Sequence, residues 1–516
     1  MKSSGGERDE NGCWDDENGT KKTGPPFHLR SKLSRCGSGT ENTIRGNTGS
    51  ERKRTAERNE KDRPSVPGSD MKQGLEKRIE RFTDRLRRED VNLHGFILTV
   101  NGQEKVRAYY EPFREGEPHR MYSVSKTMVA CAIGMLMEEG KLGLDDHIVD
   151  YFRDLLPERV SPYLTRLTIR DMLRMATCYR ATAYREYVDA DWTRPFFTGK
   201  PDHEPGMVFN YDTGNSQVLS SLVRRLSGRE VIDFLEERLF TPLGCEDQRF
   251  WLRDPSGQCT GGTGLCMSLR DLNRVALCLS RGGDGLIPAW FVAEMQKKQI
   301  DTLLQGNEEE QYGYGWQCWR TRAGWVLYGM GGQLAVICPE KRAVLCTIAD
   351  VRLDPCGMQR IYNAFFEEVY PGLDAEDMEP VRLRLPALTL ADLPGAARTG
   401  EGTYAFPEEN DLGWKTLRIE GNLLRYENAR GTCLLPFEPG KTISAEYPGW
   451  PGEPATVSAG WFADGCLRVR CHAIGNFPCG FDLVLAFRDG RVTAQARRSH
   501  DPRTDGYEGA ASGTAV

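Results

Sequence analysis

The sequence lacks the patterns on which several large classes of enzyme depend. Its 516 residues include only seven histidines, and none of them is spaced as a metal ligand with another histidine or a cysteine pair. No Gly-x-Ser-x-Gly segment occurs, so the nucleophile turn of the α/β-hydrolases is absent. The glycine-rich run at 261–264 lacks the lysine that a phosphate-binding loop requires. We therefore expect neither a metal ion nor a cofactor.

Long apolar runs and an excess of positive charge are also missing. No apolar run reaches the 18 or so residues that span a bilayer, and the first residues have no apolar core typical of a signal peptide. The net charge of −6 suggests no basic surface for nucleic acid. The sixteen cysteines include no Cys-x-x-Cys pair, which favours buried thiols in a reducing compartment. These observations predict a cytoplasmic protein with no nucleic-acid or membrane partner, and they leave its oligomeric state open.

Composition divides the chain into four segments. Residues 1–70 hold few large apolar side chains, so we predict a disordered tail and take Met71 as a candidate start. Residues 71–375 are expected to form the main domain, and residues 376–498 a small antiparallel β domain. The last segment, 499–516, is predicted to be a second disordered tail.

The fold class follows from the elements at the two ends of the main domain. Apolar residues at 75, 79, 82 and 86 mark a helix, and the next two strands are joined through Asn101-Gly102, a hairpin signal. Three further strands are predicted within 325–349, with a closing helix at 359–369, while helical sequence fills the interval between. The main domain is therefore predicted to be α+β, with an antiparallel sheet flanked by helices and a helical subdomain.

The C-terminal region has a different texture. Short alternating segments are separated by the turn pairs Gly421-Asn422, Asp464-Gly465 and Asp489-Gly490. This spacing is typical of a small all-β domain. Its residues suggest no chemistry.

The strongest chemical signal is the tetrad 123–126, Ser-Val-Ser-Lys, which precedes an apolar run that ends at Met137. On a helix, Ser123 and Lys126 would lie one turn apart on the same face. Burial of such a helix would remove water from Lys126, and a neutral amine can take the proton of a serine hydroxyl. Alone the tetrad is weak, since Ser-x-x-Lys occurs by chance about once or twice in a chain this long.

A second element makes the signal specific. The segment 205–215, Pro-Gly-Met-Val-Phe-Asn-Tyr-Asp-Thr-Gly-Asn, follows the tetrad by about 85 residues. With the tetrad and the patches at 140–152, 167–177, 262–283 and 312–317, it resembles the serine β-lactamase-related hydrolases. That family includes class C β-lactamases, DD-peptidases, esterases and nylon-oligomer hydrolases, and the resemblance covers about residues 90–370.

The resemblance implies a role for each motif. Ser123 would be the nucleophile that forms an acyl-enzyme, and Lys126 would help to deprotonate it. Tyr211 would move protons to the leaving group and from the deacylating water, and a nearby lysine cation would favour its phenolate form. The oxyanion would be bound by backbone N–H groups of Ser123 and of the segment that contains Gly331 and Gly332.

Two motifs depart from the family pattern. Thr213 stands where penicillin-recognising members have asparagine, although Asn215 follows closely, and both are candidate substrate-binding residues. The Lys-Thr-Gly strand is replaced by 329–333, Gly-Met-Gly-Gly-Gln, which has no cation to bind a substrate carboxylate. A literal Lys-Thr-Gly at 22–24 lies ahead of the nucleophile and is taken as a coincidence.

The sequence therefore predicts a serine hydrolase that acts on small-molecule esters or amides. Two alternatives remain open at this point. One is a β-lactamase or DD-peptidase that acts on penicillin-type or D-Ala-D-Ala substrates. The other is a non-catalytic protein that keeps the fold and binds a ligand.

Overall fold

The computed structural model describes residues 74–180, 191–374, 378–475, 477–499, 501 and 504–516. The predicted tail 1–70 and the candidate start Met71 lie outside these residues. None of the described helices combines the length and the apolar character needed to cross a lipid bilayer. Apart from the disulfide-bonded Cys356, the described cysteines are buried, with the half-buried Cys466 as the exception.

The main domain is built on a six-stranded antiparallel sheet with the order β2-β1-β9-β8-β7-β6. Its strands and those of a small three-stranded sheet are β1 (Leu93–Val100), β2 (Gln103–Tyr109), β3 (His119–Arg120), β4 (Phe250–Trp251), β5 (Leu265–Met267), β6 (Trp319–Thr321), β7 (Gly324–Gly329), β8 (Gln333–Cys338) and β9 (Ala343–Ala349). Strand β1 pairs with β9 from Leu93 to Val100, which joins the two ends of the domain. The predicted hairpin is confirmed, with Asn101 and Gly102 at φ 52° and 75° between β1 and β2.

Helices cover the sheet and form the predicted helical subdomain. They are α1 (Leu75–Arg88), α2 (Val124–Glu138), α3 (Ile148–Tyr151), α4 (Pro162–Thr165), α5 (Ile169–Leu173), α6 (Arg194–Thr198), α7 (Thr213–Ser227), α8 (Val231–Leu235), α9 (Leu269–Ser280), α10 (Ala289–Met295) and α11 (Gly357–Ala364). The predicted stripe of α1 is buried at all four of its apolar positions. Helix α11 and the turn after it cover 357–369, close to the predicted closing helix.

The C-terminal domain is a ten-stranded antiparallel sheet with the order β13-β12-β11-β10-β19-β18-β17-β16-β15-β14. Its strands are β10 (Gly402–Ala405), β11 (Thr416–Glu420), β12 (Leu423–Asn428), β13 (Gly431–Pro436), β14 (Lys441–Glu446), β15 (Pro454–Ala463), β16 (Cys466–Ala473), β17 (Cys479–Arg488), β18 (Arg491–Arg498) and β19 (Gly509–Ala515). All three predicted turn pairs lie between neighbouring strands.

Two predicted boundaries differ from the structure. The segment 499–516 was predicted to be a disordered tail, but β19 within it pairs with both β10 and β18. Its residues are mostly Gly and Ala, which have low β-propensity, and tertiary pairing overrides that preference because it satisfies their backbone groups. The boundary at 375 is also displaced, since Val381 donates its N–H to the Lys105 carbonyl at 2.7 Å and so pairs with the main domain.

Candidate active site

The site is built around α2, which is buried from Val124 to Met137, as predicted. Ser123 is the N-cap residue of this helix and is 8% exposed. Tyr122, immediately before it, has φ 45°, a left-handed conformation that costs a non-glycine residue about 1–2 kcal/mol. This turn connects β3 to the start of α2, where Ser123 lies.

A neighbouring serine holds the turn in place. The hydroxyl of Ser125 donates to the Tyr122 carbonyl at 2.6 Å and accepts the N–H of Leu265 at 3.0 Å. These bonds attach the first turn of α2 to β5. Ser125 is fully buried, so its role is structural.

The amine of Lys126 links the three segments of the site. It donates to the hydroxyl of Ser123 at 3.0 Å, to the hydroxyl of Thr213 at 3.2 Å and to the carbonyl of Gly262 at 2.7 Å. It also lies 5.0 Å from the centre of the Tyr211 ring. Lys126 is 1% exposed, so these contacts replace water around the amine.

The second predicted motif reaches the site through the start of α7. Asp212 is the N-cap residue, and its carboxylate accepts the Gly214 N–H at 2.8 Å. This cap makes Thr213 the first helical residue, beside Lys126. Thr213 therefore lies in the site, as predicted for the motif's third position.

Tyr211 also lies in the site, hydrogen-bonded to Ser123, but its ionisation differs from the expectation. Burial raises the pKa of Tyr211 above its usual value, and the hydrogen bond to Ser123 lowers it by less. The expected phenolate is therefore corrected to a neutral phenol. Desolvation outweighs the nearby amine here.

Asn215 does not reach the site. Its side chain is fully buried, and its amide donates to the Met172 carbonyl at 2.7 Å and contacts the Met175 sulfur at 3.2 Å. It ties α7 to α5. The prediction of a substrate-binding role is thus not supported by its position, because a residue two positions after Thr213 lies on nearly the opposite face of the helix.

The predicted glycines form the turn between β7 and β8. Gly331 and Gly332 have φ 89° and 104°, and the N–H of Gly332 donates to the Gly329 carbonyl at 3.3 Å. A β-carbon at Gly329 would collide with the Met121 carbonyl, so this turn packs directly against the residues before Ser123. The Gly332 N–H is committed to the turn.

Sequence reasoning missed Gly262 as a residue of the site. A β-carbon there would lie 2.5 Å from the Thr213 methyl and 3.3 Å from the Lys126 amine. Only glycine allows this carbonyl to approach Lys126 so closely. The glycine-rich run at 261–264 resembles a phosphate loop without the required lysine, and that pattern gives no signal for a contact with Lys126.

The C-terminal domain contacts the same region. The Tyr122 hydroxyl donates to the Pro478 carbonyl at 3.2 Å, and Arg352 donates to the same oxygen. Arg352 also pairs with the buried Asp350 at 2.8 Å. Burial alone would raise the pKa of Asp350, but Arg352 and His472 hold it well below its usual range.

Within the described residues, no cluster of three or more His, Cys, Asp or Glu side chains is arranged to hold a metal ion.

Comparison with known proteins gives one family. Residues 76–352 match the family described as Beta-lactamase. A curated relative, the 6-aminohexanoate-dimer hydrolase of Paenarthrobacter ureafaciens, is 23% identical over 263 residues, which are 48% of this chain and 66% of the relative. The match thus spans slightly less than two thirds of that relative's length.

One solved structure supports the fold, and a second is more distantly similar. A Bacteroides dorei protein assigned as a beta-lactamase has a TM-score of 0.50 and 16% identity, covering 58% of this chain and 98% of its own. The D-amino acid amidase of Ochrobactrum anthropi has a TM-score of 0.47 and 16% identity, with the same shares of 58% and 98%.

Proposed function

The chain belongs to the beta-lactamase family, and from that premise we propose that it is a serine hydrolase of small esters or amides that acts through an acyl-enzyme on Ser123. The observation that carries the proposal is the 3.0 Å hydrogen bond from the Lys126 amine to the Ser123 hydroxyl in a buried site. The name of the curated relative, an amide hydrolase, supports the substrate class.

The proposed reaction uses three side chains. In the reactive state Lys126 is a neutral amine and accepts the hydrogen bond from Ser123, which reverses the direction described above. Ser123 then attacks the substrate carbonyl while Lys126 takes its proton, and the backbone N–H groups of Ser123 and Gly331 bind the oxyanion. Tyr211, a neutral phenol, donates its proton to the leaving group and regains one from the Lys126 ammonium. Water then cleaves the ester of Ser123, and the same groups carry its proton. Thr213 and Gly262 hold the Lys126 amine in line with Ser123.

The charges near the turn favour esters over penicillins. β-Lactams carry a carboxylate, and the cation next to the Gly331 turn is Arg352, whose side-chain carbon would lie 3.6 Å from a β-carbon at Gly331. Its guanidinium is already paired with Asp350. The loss of one charged hydrogen bond costs about 1.5–3 kcal/mol, or about ten- to a hundred-fold in kcat/KM.

A fluorophosphonate probe followed by intact-mass measurement tests the proposal. We expect one adduct, mapped to Ser123, and turnover of p-nitrophenyl butyrate. Absence of an adduct would favour the non-catalytic ligand-binding alternative. Nitrocefin turnover that equals the turnover of the best ester, and is lost in Ser123→Ala, would favour the β-lactamase alternative.

The Gly262 carbonyl offers a second test of the same arrangement. In Gly262→Ala the new methyl would press on Thr213 and the Lys126 amine, so we expect kcat for p-nitrophenyl butyrate to fall by about tenfold or more. Gly306→Ala is the control, because a β-carbon at Gly306 has no neighbour within 4 Å.

A further inference from the structure

Two adjacent glutamates beside the site have different partners. Glu309 is 1% exposed and accepts three hydrogen bonds from the Arg322 guanidinium, at 3.1, 2.9 and 2.6 Å. Glu310 is half-buried and accepts hydrogen bonds from the Asn307 amide at 2.8 Å and from the Tyr328 hydroxyl. Among the described residues, no Lys, Arg or His forms an ion pair with Glu310. Within this part of the chain, the donors to its carboxylate are the neutral groups of Asn307 and Tyr328.

Aromatic rings adjoin this carboxylate and reach the proposed nucleophile. The ring of Tyr211 stacks on Trp319 with centres 5.4 Å apart, and Tyr314 and Tyr328 lie 4.9 and 5.9 Å from Trp319. Trp319 and Tyr314 are buried, whereas Tyr211, Tyr328 and Glu310 keep part of their surface exposed. Besides burial, the charge of Glu310 raises the pKa of both tyrosines, so the three side chains lie near one another, and the Tyr211 ring centre lies 5.0 Å from the Lys126 amine. We call the partly exposed surfaces of these three side chains the wall.

We propose that this wall is an acyl- or leaving-group subsite that takes a cationic ammonium group, bound by the Glu310 carboxylate against the rings of Tyr211 and Tyr328. The substrate class is then a small ester or amide that carries an ammonium group near the scissile bond. This inference rests on the proposed hydrolase function and narrows its substrate.

Electrostatics supports the ammonium subsite from two directions. Burial raises the pKa of Glu310 because no cation offsets the lost hydration, so an arriving cation would stabilise the ionised carboxylate. Ammonium groups also bind to the faces of aromatic rings, because the ring quadrupole attracts a cation. A substrate carboxylate would instead be repelled by Glu310, in agreement with the disfavoured penicillin substrates.

A matched pair of esters tests the selectivity. The p-nitrophenyl ester of 4-(trimethylammonio)butanoic acid and that of its carbon isostere, 5,5-dimethylhexanoic acid, differ in charge and hardly in shape. We expect the wild type to favour the cationic ester at least tenfold in kcat/KM, and Glu310→Gln to lower that ratio tenfold. Glu308→Gln is the control, because Glu308 is exposed and lies in the same short segment; it should keep the ratio within twofold.

A binding measurement separates this inference from the hydrolase proposal. In Ser123→Ala we expect choline to quench tryptophan fluorescence through Trp319 at concentrations at least tenfold below those of its neutral isostere, 3,3-dimethylbutan-1-ol. Equal binding of the two probes, or an unchanged ester ratio in Glu310→Gln, would overturn the subsite. If no ester is turned over and the fluorophosphonate leaves Ser123 unlabelled, the hydrolase proposal fails, while choline binding still decides the subsite.

Discussion

Tyr122 lies between two regions, the site around Ser123 and the interface between the main and C-terminal domains. The two regions are stabilised by different interactions. Around Ser123, hydrogen bonds join a lysine to two hydroxyls and a backbone carbonyl. At the interface between the domains, ion pairs join arginines to carboxylates: Asp482 on β17 accepts from Arg468 and Arg470 on β16, and both arginines also bind Asp90 of the main domain.

The difference is in what each region can do with a proton. Burial alone would raise the pKa of Asp482, but its arginines hold that pKa well below its usual range. Such a pair fixes geometry and keeps its charge. Hydroxyl and amine groups in contact can instead exchange protons, which acyl transfer requires. The interface positions the two domains, and the Ser123 region is suited to chemistry.

The largest expected effect comes from two serines in the same helical turn. Ser123→Ala should lower kcat for p-nitrophenyl butyrate by at least about a hundredfold, with little change in melting temperature. Ser125→Ala should lower the melting temperature, because it leaves the Leu265 N–H without its acceptor, but should retain fluorophosphonate labelling at Ser123. If both variants lost labelling while folded, Ser123 would not be distinguished as the nucleophile.

The second largest expected effect is a loss of folding stability when the ion pairs of Asp482 at the domain interface are broken. Asp482 is 4% exposed and binds three arginines, Arg468, Arg470 and Arg497, of which Arg470 is the most buried. Asp482→Asn would leave Arg470 with only the half-exposed carboxylate of Asp90. We expect a loss of about 3–5 kcal/mol in the free energy of unfolding, measured in urea at pH 7.

The direction of the Asp482 pKa shift determines how the stability from this pairing changes with pH. The pKa of Asp482 is lower in the folded state than the value of about 3.9 in the unfolded chain. Its stabilisation is therefore present above that value and is lost as the pH falls below about 4. Asp505→Asn is the control, since Asp505 pairs with Arg498 but is 62% exposed; an equal loss in both variants would contradict the buried-pair argument.

The sequence predicted the elements that depend on local spacing. The i, i+3 interval of Ser123 and Lys126 needs only a helix, and the hairpin at Asn101-Gly102 needs only a turn that tolerates positive φ. The turn pairs of the C-terminal domain are local signals of the same kind. Strand β19 was missed because its small residues carry no pattern, and only its neighbours β10 and β18 make it a strand.

The sequence predicted those site residues that belong to one recognisable motif. Tyr211 and Thr213 were found through the family pattern around them. Gly262 was missed because its contact with Lys126 spans 136 positions of sequence. The neutral state of Tyr211 and the inward orientation of Asn215 also depend on tertiary packing, which spacing does not report.

A smaller effect is expected from a histidine pair between the two regions. His94 and His119 are buried with their ring nitrogens 2.9 Å apart, near Asp350 and Arg352. Burial lowers the pKa of His119 to about 4. Because this is below the unfolded value of about 6.5, the native state binds fewer protons, and stability should fall by a few kcal/mol as the pH drops from 6.5 to 4.

Urea unfolding at pH 7.5 and pH 4.5 checks this slope. We expect His119→Asn to be less stable than the wild type at pH 7.5 but to lose less stability between the two pH values. His147→Asn is the control, because His147 is exposed and should leave the difference unchanged. A slope that persists in full in His119→Asn would assign the pH dependence to other groups.

The smallest expected effect is at the contact where the two regions meet. Tyr122→Phe removes only the hydroxyl that donates to the Pro478 carbonyl at 3.2 Å, and that oxygen keeps its bond from Arg352. The ring and its contacts with Arg120 and Arg352 remain. We therefore expect a loss of no more than about 1 kcal/mol in urea unfolding, with the partly exposed Tyr163 changed to Phe as the control. A fall in kcat/KM of tenfold or more with this stability kept would mean that the Tyr122 hydroxyl takes part in the chemistry, and the separation of interface from site would fail at this residue.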